Sequence, residues 1–483
     1  MDLSDPFPII KALVPKIPLV GKTTLYHALG ISKTSKHWDL KTELTITIVR
    51  SFVLHPGPMA VAKNQHLSRK DPGIKGKLWV SKVTLPKPAE DDIRDALFGA
   101  VDSLKEAGQG DLAYTKPSLE DVTAEWTGHR GDATKSSPEL SISDEQKYTE
   151  MMKEVSAPAT ILFFHGGAYY LMDPCTHRGV TAKLAKLTKG RVLSVRYRLA
   201  PQNPFPAALL DALVSYLYLL YPPEGSLHQP VEAKHVVFSG DSAGANLSTV
   251  LLLLILTLRR QNRKIFWNGQ ERQVPLPGGV ALNSPWMDIT CSSPSNLKYA
   301  CYDYLPSHGS HPNGLEWASD DLWPTTPPRT NLFADDDVIL HPLVSPLAAP
   351  ASVWEGSCPV WFCTGWELLN DEDRAVASRM AQAGATVVFE EFDAMPHCFA
   401  IVLEGTEASR RCFHDWAAFV TAATEKPETL KTRAVVIAAR TLEEKELDIR
   451  TLSPWSLEET VAWMKKRVEV MRAARQSDKL TKL

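Results

Sequence analysis

Short apolar runs and amphipathic stretches alternate along the middle of this chain. Residues 159–164, 191–197, 236–238, 278–283, 358–363 and 386–392 are apolar or β-branched runs of strand length. Runs without polar alternation belong to strands covered on both faces, as in a parallel sheet. Between them, 207–221 and 374–383 have helical spacing. The stretch 247–258 is apolar almost throughout, which predicts a helix buried on all sides. Strand–helix alternation of this kind predicts an α/β fold with a mostly parallel sheet. Upstream, 77–85 alternates and predicts an early strand, with 122–128 as its partner. Residues 91–107 form an amphipathic helix pattern, and 132–145 are polar and predict a loop.

The flanks depart from the alternation. Residues 1–70 read as helical and irregular, and within 38–54 Leu40, Leu44, Ile48 and Phe52 fall on adjoining turns. Residues 290–345 carry Pro, Ser, His and the aromatics Tyr299, Tyr302, Tyr304, Trp317 and Trp323. A long irregular stretch inside an α/β pattern predicts a lid or binding element. After residue 425, 433–439 reads as a strand and 457–475 as a helix with Val461, Met464, Val468 and Met471 on one face. That face serves either docking onto the core or a homodimer.

Composition narrows the function classes. Hydrophobic residues make up 44% of the 483 positions and charged residues 23%, as in a globular protein. A formal net charge of −3 argues against a nucleic-acid partner. Seven cysteines without Cys-x-x-Cys or Cys/His spacing predict neither a disulfide framework nor a metal site. No cofactor is expected. The first residues are acidic and interrupted by Pro6, Pro8, Pro15 and Pro18, unlike a secretory signal. The run 250–256 is too short to span a bilayer, and Arg259-Arg260 follows it. A cytoplasmic location is expected, with peripheral membrane contact through apolar surface as an additional partner.

The candidate chemistry lies at strand ends. Gly240-Asp241-Ser242-Ala243-Gly244 sits between the strand at 236–238 and the apolar helix, the context of a nucleophile elbow. This strained turn lifts a serine hydroxyl against the positive end of the next helix. His165-Gly166-Gly167-Ala168 follows the strand at 159–164. A glycine pair there turns main-chain N–H groups toward a developing oxyanion, with the Ala243 N–H as the remaining donor. His165 is expected to pin that loop. The order Ser…acid…His requires an acid and a base downstream. Glu367 comes first after the strand at 358–363, and Asp371, Glu372 and Asp373 compete with it. His397 occupies the loop after the next strand, and His414 is its rival. Tyr169, Tyr170 and Trp286 flank these loops and predict an apolar pocket. Two decoys are set aside. Gly21-Lys22-Thr23-Thr24 lacks the first glycine and the buried strand of a phosphate loop, and the Asn246-Leu247-Ser248 sequon lies in the elbow helix.

These segments resemble the hormone-sensitive lipase-like family of α/β-hydrolases. The likeness is carried by 165–168, 197–201 (Tyr-Arg-Leu-Ala-Pro), 205–208 with Asp211, 240–244, 284–288 (Ser-Pro-Trp-Met-Asp), 341–346, 365–372 and 397–399, in family order. It implies an α/β-hydrolase fold in one catalytic domain, 1–483. In it, 1–70 and 290–345 would be cap elements and 425–483 a C-terminal extension. The resemblance implies Ser242 as nucleophile, Glu367 as acid, His397 as base, and the N–H groups of Gly166, Gly167 and Ala243 as oxyanion donors. Two departures stand out. The glycine loop ends in Ala168 where a third glycine is usual, and the acid is glutamate where aspartate is more frequent. The expected substrate is a medium-sized apolar ester, such as a sterol or secondary-metabolite ester. The alternatives are acyl transfer, lactonisation or cyclisation through the same acyl-serine, and a non-catalytic ligand receptor.

Overall fold

The computed structural model describes residues 14–54, 58, 60–106, 108–310 and 316–480. The first 13 residues and 55–57 of the N-terminal cap expectation, residue 59, residue 107, and 311–315 of the second cap segment lie outside the described residues.

The chain begins with helices α1 (Ile17–Ala28), α2 (Leu40–Val53) and α3 (Val61–Ser68). Strand β1 (Leu78–Leu85), helix α4 (Asp92–Ser103), strand β2 (Val122–His129) and helix α5 (Asp144–Glu154) follow. The central part runs β3 (Thr160–Phe164), α6 (Arg178–Thr188), β4 (Arg191–Arg196), α7 (Ala207–Leu220), β5 (Val236–Asp241), α8 (Ala243–Arg260) and β6 (Gly279–Asn283). It continues with β7 (Val360–Gly365), α9 (Asn370–Gln382), β8 (Val387–Phe392), α10 (Glu407–Glu425), β9 (Arg433–Ile437), β10 (Glu444–Leu447) and α11 (Leu457–Leu480). These strands form one sheet in the order β1-β2-β4-β3-β5-β6-β7-β8-β9-β10. The pairs from β4 through β9 are parallel, and β1, β2 and β10 pair antiparallel at the two ends.

The strands β3, β5, β6 and β7 are buried at every position, which is why they read as unbroken apolar runs. Helix α8 is 89% buried against this sheet. Among the described residues it is the one helix long and apolar enough to cross a membrane, and its burial marks it as a core helix.

Among the elements named above, three escaped the sequence pattern. Helix α5 buries only Tyr148 and Met151, so its apolar stripe is thin. Its start is set instead by a capping box, Ser143 with Gln146. Helix α6 and the four-residue edge strand β10 were not expected either. The stripe expected on α2 is also corrected. Phe52 is exposed and Leu40, Leu44 and Ile48 are half-buried, while Thr42, Glu43 and Ile46 face inward. The inward face is polar because Glu43 is held by His27 Nδ1 at 2.5 Å and by the Ser32 hydroxyl. Gly21-Lys22-Thr23-Thr24 lies inside α1, so no phosphate loop forms. Helix α11 docks on its own chain: Met464 and Val468 are buried, Arg379 donates to Thr460 Oγ1 at 2.8 Å, and Arg475 pairs with Asp336 at 3.0 Å.

Candidate active site

The carboxyl ends of β3, β5, β6, β7 and β8 deliver five loops to one edge of the sheet, where open α/β sheets bind ligands. Several non-glycine residues there are left-handed: Ala168 (φ 51°), Tyr169 (φ 64°), Ser242 (φ 53°), Ser284 (φ 47°) and Cys398 (φ 48°). Such strain persists where the surroundings over-determine it, and it gathers at functional sites. Ser242 is the turn between β5 and α8, at φ 53°, ψ −120°. Its neighbours must be glycine. A Cβ on Gly240 or Gly244 would collide with the main-chain carbonyl of Phe164.

The loop after β6 binds two of its neighbours together. Asn283 O accepts the Ser242 N–H at 3.0 Å, and Ser284 Oγ accepts the Cys398 N–H at 2.9 Å. Cys398 Sγ lies 3.9 Å from Asp241 Oδ2, so the residues flanking Ser242 and His397 meet. The main-chain N–H of Trp286, whose side chain is half-buried, donates to Ser242 O at 3.2 Å. Ser284 opens the 284–288 segment that carries the family likeness, but no role was expected of it; its place immediately after a strand was the available signal.

Four carboxylates were candidates for contact with His397, and they part company here. Glu367 Oε2 lies 2.6 Å from His397 Nδ1, while Glu367 Oε1 accepts from Thr364 Oγ1 at 2.7 Å and from the Gly365 N–H at 3.4 Å. Asp371 accepts the Ser295 N–H at 2.8 Å, and Glu372 accepts those of Met287 and Asp288 at 2.8 and 3.0 Å. Asp373 is fully buried on α9. Burial of the imidazole works to lower the His397 pKa, but Glu367, with Asp303 and Asp241 behind it, raises it above 6.5. Among the described residues the Ser242 hydroxyl makes no hydrogen bond to His397. In unliganded sites such bonds often close only around substrate. His414 lies on α10 with its side chain exposed.

The glycine loop is anchored from below. His165 Nδ1 pairs with Gly166 O at 2.7 Å, and Tyr197 donates its hydroxyl proton to His165 O at 2.6 Å. Burial pushes the His165 pKa down to about 4, so the ring is neutral. Asp241 Oδ1 accepts the Gly166 N–H at 3.2 Å and sits 3.2 Å from His177 Nε2. Burial opposes charge on both partners. Each nonetheless favours the other's ionised form, raising the pKa of His177 and lowering that of Asp241. Gly166 therefore leaves the expected donor set, because its N–H is committed to Asp241. Among the described residues the N–H groups of Gly167, Ala168 and Ala243 have no acceptor. Gly167 (φ 108°) and Ala168 (φ 51°) both have positive φ, and Ala243 offers the first N–H of α8.

The expected pocket residues divide. Tyr169 is core: it is 1% exposed, stacks on Phe333 at 3.6 Å and donates its hydroxyl proton to Asn246 Oδ1 at 2.6 Å. Tyr170 meets Trp317 edge-on at 5.4 Å, joining the glycine loop to the 290–345 segment. Trp366 carries Tyr299 stacked at 5.6 Å and is met by His37 at 5.3 Å and Tyr302 at 5.2 Å. Asn246 is buried, with its amide on Trp286 O and Val344 O, so the sequon is closed to modification.

Residues 161–401 match a family model described as an alpha/beta hydrolase fold. An acetyl-hydrolase of Streptomyces hygroscopicus is 29% identical over 266 residues, covering 55% of this chain and 76% of that protein. An esterase of Acinetobacter venetianus is 30% identical over 273 residues, covering 56% of this chain and 78% of that protein. A solved esterase from the bacterial hormone-sensitive lipase family shares the fold with a TM-score of 0.50 at 20% identity, over 80% of this chain and 99% of that one.

Proposed function

The chain belongs to the hormone-sensitive lipase-like family of α/β-hydrolases and is a carboxylic ester hydrolase, and from that premise we propose which residues carry its reaction. Ser242 is the nucleophile, His397 the general base and Glu367 the acid. The hydroxyl attacks the ester carbonyl while His397 takes its proton. The N–H groups of Gly167, Ala168 and Ala243 hold the oxyanion, with each such donor worth about 10²–10³ in rate. His397 then protonates the leaving alcohol, and water releases the acyl group by the same steps in reverse. Glu367 fixes the imidazole tautomer and stabilises the imidazolium.

One observation carries this reading: the 2.6 Å contact from Glu367 Oε2 to His397 Nδ1, beside the strained turn at Ser242. The shorter acid usual at this position is replaced by a longer one, and its far oxygen is held by Thr364. The test is hydrolysis of p-nitrophenyl acetate and butyrate, with turnover in the native chain and none in Ser242→Ala.

The substrate proposed is a short-chain acyl ester of a bulky apolar alcohol, such as a sterol or secondary metabolite. The aromatic groups at Tyr170, Trp317, Trp286 and Trp366 support it, as does the likeness to an acetyl-hydrolase. Contact with an anionic lipid surface belongs to the same reading. Ile17, Leu25, Leu29 and Ile31 are each more than half exposed on and after α1. Lys16, Lys22, Lys33 and Lys36 accompany them, and residues 14–38 contain no Asp or Glu.

A further inference from the structure

Asp303 belongs to the irregular 290–345 segment and is 1% exposed. Main-chain N–H groups converge on its carboxylate. Oδ2 accepts that of Leu368 at 2.8 Å. Oδ1 accepts those of Tyr304 at 2.7 Å, Leu305 at 3.2 Å and His397 at 3.4 Å. Leu368 directly follows Glu367, and the last N–H is that of His397 itself. One side chain thus ties the loop after β7 to the loop after β8.

The other side of Asp303 is held by α2. Its main-chain carbonyl accepts from Arg50 Nε at 2.9 Å, and Cys301 O accepts from Arg50 Nη2 at 2.9 Å. The Tyr304 ring meets the His397 ring edge-on, with centroids 6.1 Å apart. The N-terminal helices, the 290–345 segment and the Glu367–His397 pair are therefore linked by an unbroken run of hydrogen bonds.

We propose that Asp303 is a positioning residue for Glu367 and His397, held in place by Arg50, so that the two cap segments set the geometry of acid and base. The proposal rests on the reading of those two residues given above. Its physical basis is the length of the acid. Glutamate has one more rotatable bond than aspartate, so its carboxylate sweeps a wider arc unless the main chain at 367–368 is fixed. A carboxylate that accepts only N–H groups does that fixing. A misplacement of about 1 Å at a reacting pair costs roughly 10²-fold in rate.

The charges around the pair give the proposal a signature beyond structure. His397 is faced by Glu367 from the β7 loop, Asp303 from the 290–345 segment and Asp241 from the end of β5. Asp303 is faced by His397, by Glu367 and, through α2, by Arg50. Burial raises the Asp303 pKa, and the N–H donors and His397 oppose that rise. Its negative charge favours the imidazolium, so removing the charge lowers the pKa of His397.

The test compares the native chain with Asp303→Asn and Arg50→Lys. The readouts are the rate of Ser242 phosphonylation by a fluorophosphonate, kcat and KM for p-nitrophenyl acetate, and the pH profile of kcat/KM. Asp303→Asn is expected to lower kcat and the labelling rate about 10–100-fold with KM changed less than about threefold. Its acid limb is expected to move to lower pH. Arg50→Lys keeps the charge and loosens the grip on the loop, and is expected to lower kcat about 3–10-fold at unchanged KM. Should Asp303→Asn not fold, the Arg50→Lys result alone decides. Native kcat in whichever of the two variants folds, or a fall in kcat for Asp303→Asn with an unmoved acid limb, overturns the proposal. A native chain that neither turns over ester nor takes the label overturns the catalytic reading instead.

Discussion

Glu367 Oε2 and His397 Nδ1 lie 2.6 Å apart although thirty residues, among them helix α9 and strand β8, separate them in the chain. The distance is short because Glu367 stands two residues beyond the end of β7 and reaches across to the loop after the neighbouring β8. Shortening the acid should open this contact. Glu367→Asp is expected to lower kcat about 10–100-fold, and Glu367→Ala to lower it on the order of 10³–10⁴-fold. In both, KM for p-nitrophenyl acetate should stay within about threefold. Steady-state kinetics on folded variants, checked by circular dichroism, reads the outcome.

The pH profile follows from the same contact. His397 acts as a base only when neutral, and its pKa is raised above 6.5 by Glu367 against the effect of burial. Activity should therefore be full at alkaline pH, and kcat/KM should fall as pH drops through a value above 6.5. In Glu367→Gln the raising charge is gone while burial remains, so the limb should move to lower pH although the rate itself is reduced. A limb that stays in place would mean that His397 is not the group titrating.

Backbone strain in the glycine loop predicts two opposite responses to small substitutions. Ala168 is left-handed, which costs a non-glycine residue about 1–2 kcal/mol, while glycine loses about 0.4–1 kcal/mol more in unfolded-state entropy. Ala168→Gly should therefore leave stability unchanged or raise it by about 1 kcal/mol. Gly244→Ala drives a Cβ into the Phe164 carbonyl and should cost at least about 3 kcal/mol. Thermal and denaturant melts of the two variants separate these outcomes.

The outward face of α1 predicts lipid binding. Vesicles containing phosphatidylserine should sediment the protein, and added salt should weaken the binding, because lysines contribute electrostatically. Leu25→Asp with Leu29→Asp should abolish it while ester turnover in solution persists. Equal recovery with and without vesicles would remove lipid contact from the account.

The central sheet was legible in the sequence because its strands are buried on both faces, so apolar runs mark them directly. The turn at Ser242 was legible because its steric demands leave only glycine at 240 and 244. Helix α5 was missed because two buried side chains make too weak a stripe, and the stripe read on α2 was misplaced because its inner face holds a buried glutamate. The donor set was half legible. A glycine pair announces free N–H groups, but nothing local reveals that Asp241, 75 residues away in the chain, takes the one on Gly166. Tyr169 was read as pocket wall for a similar reason, since its stacking partner Phe333 lies far along the chain. Asp303 had no local signature, because its partners come from three separate loops and α2.

The central claim is that Ser242 is activated by His397 at this sheet edge. The most direct measurement is the rate of fluorophosphonate labelling, with the modified residue located by peptide mass spectrometry. The native chain should carry a single label on Ser242. Ser242→Ala should carry none, and His397→Ala should label on the order of 10³-fold more slowly. A folded native chain left unlabelled at Ser242, or a His397→Ala variant labelled at the native rate, would contradict the account.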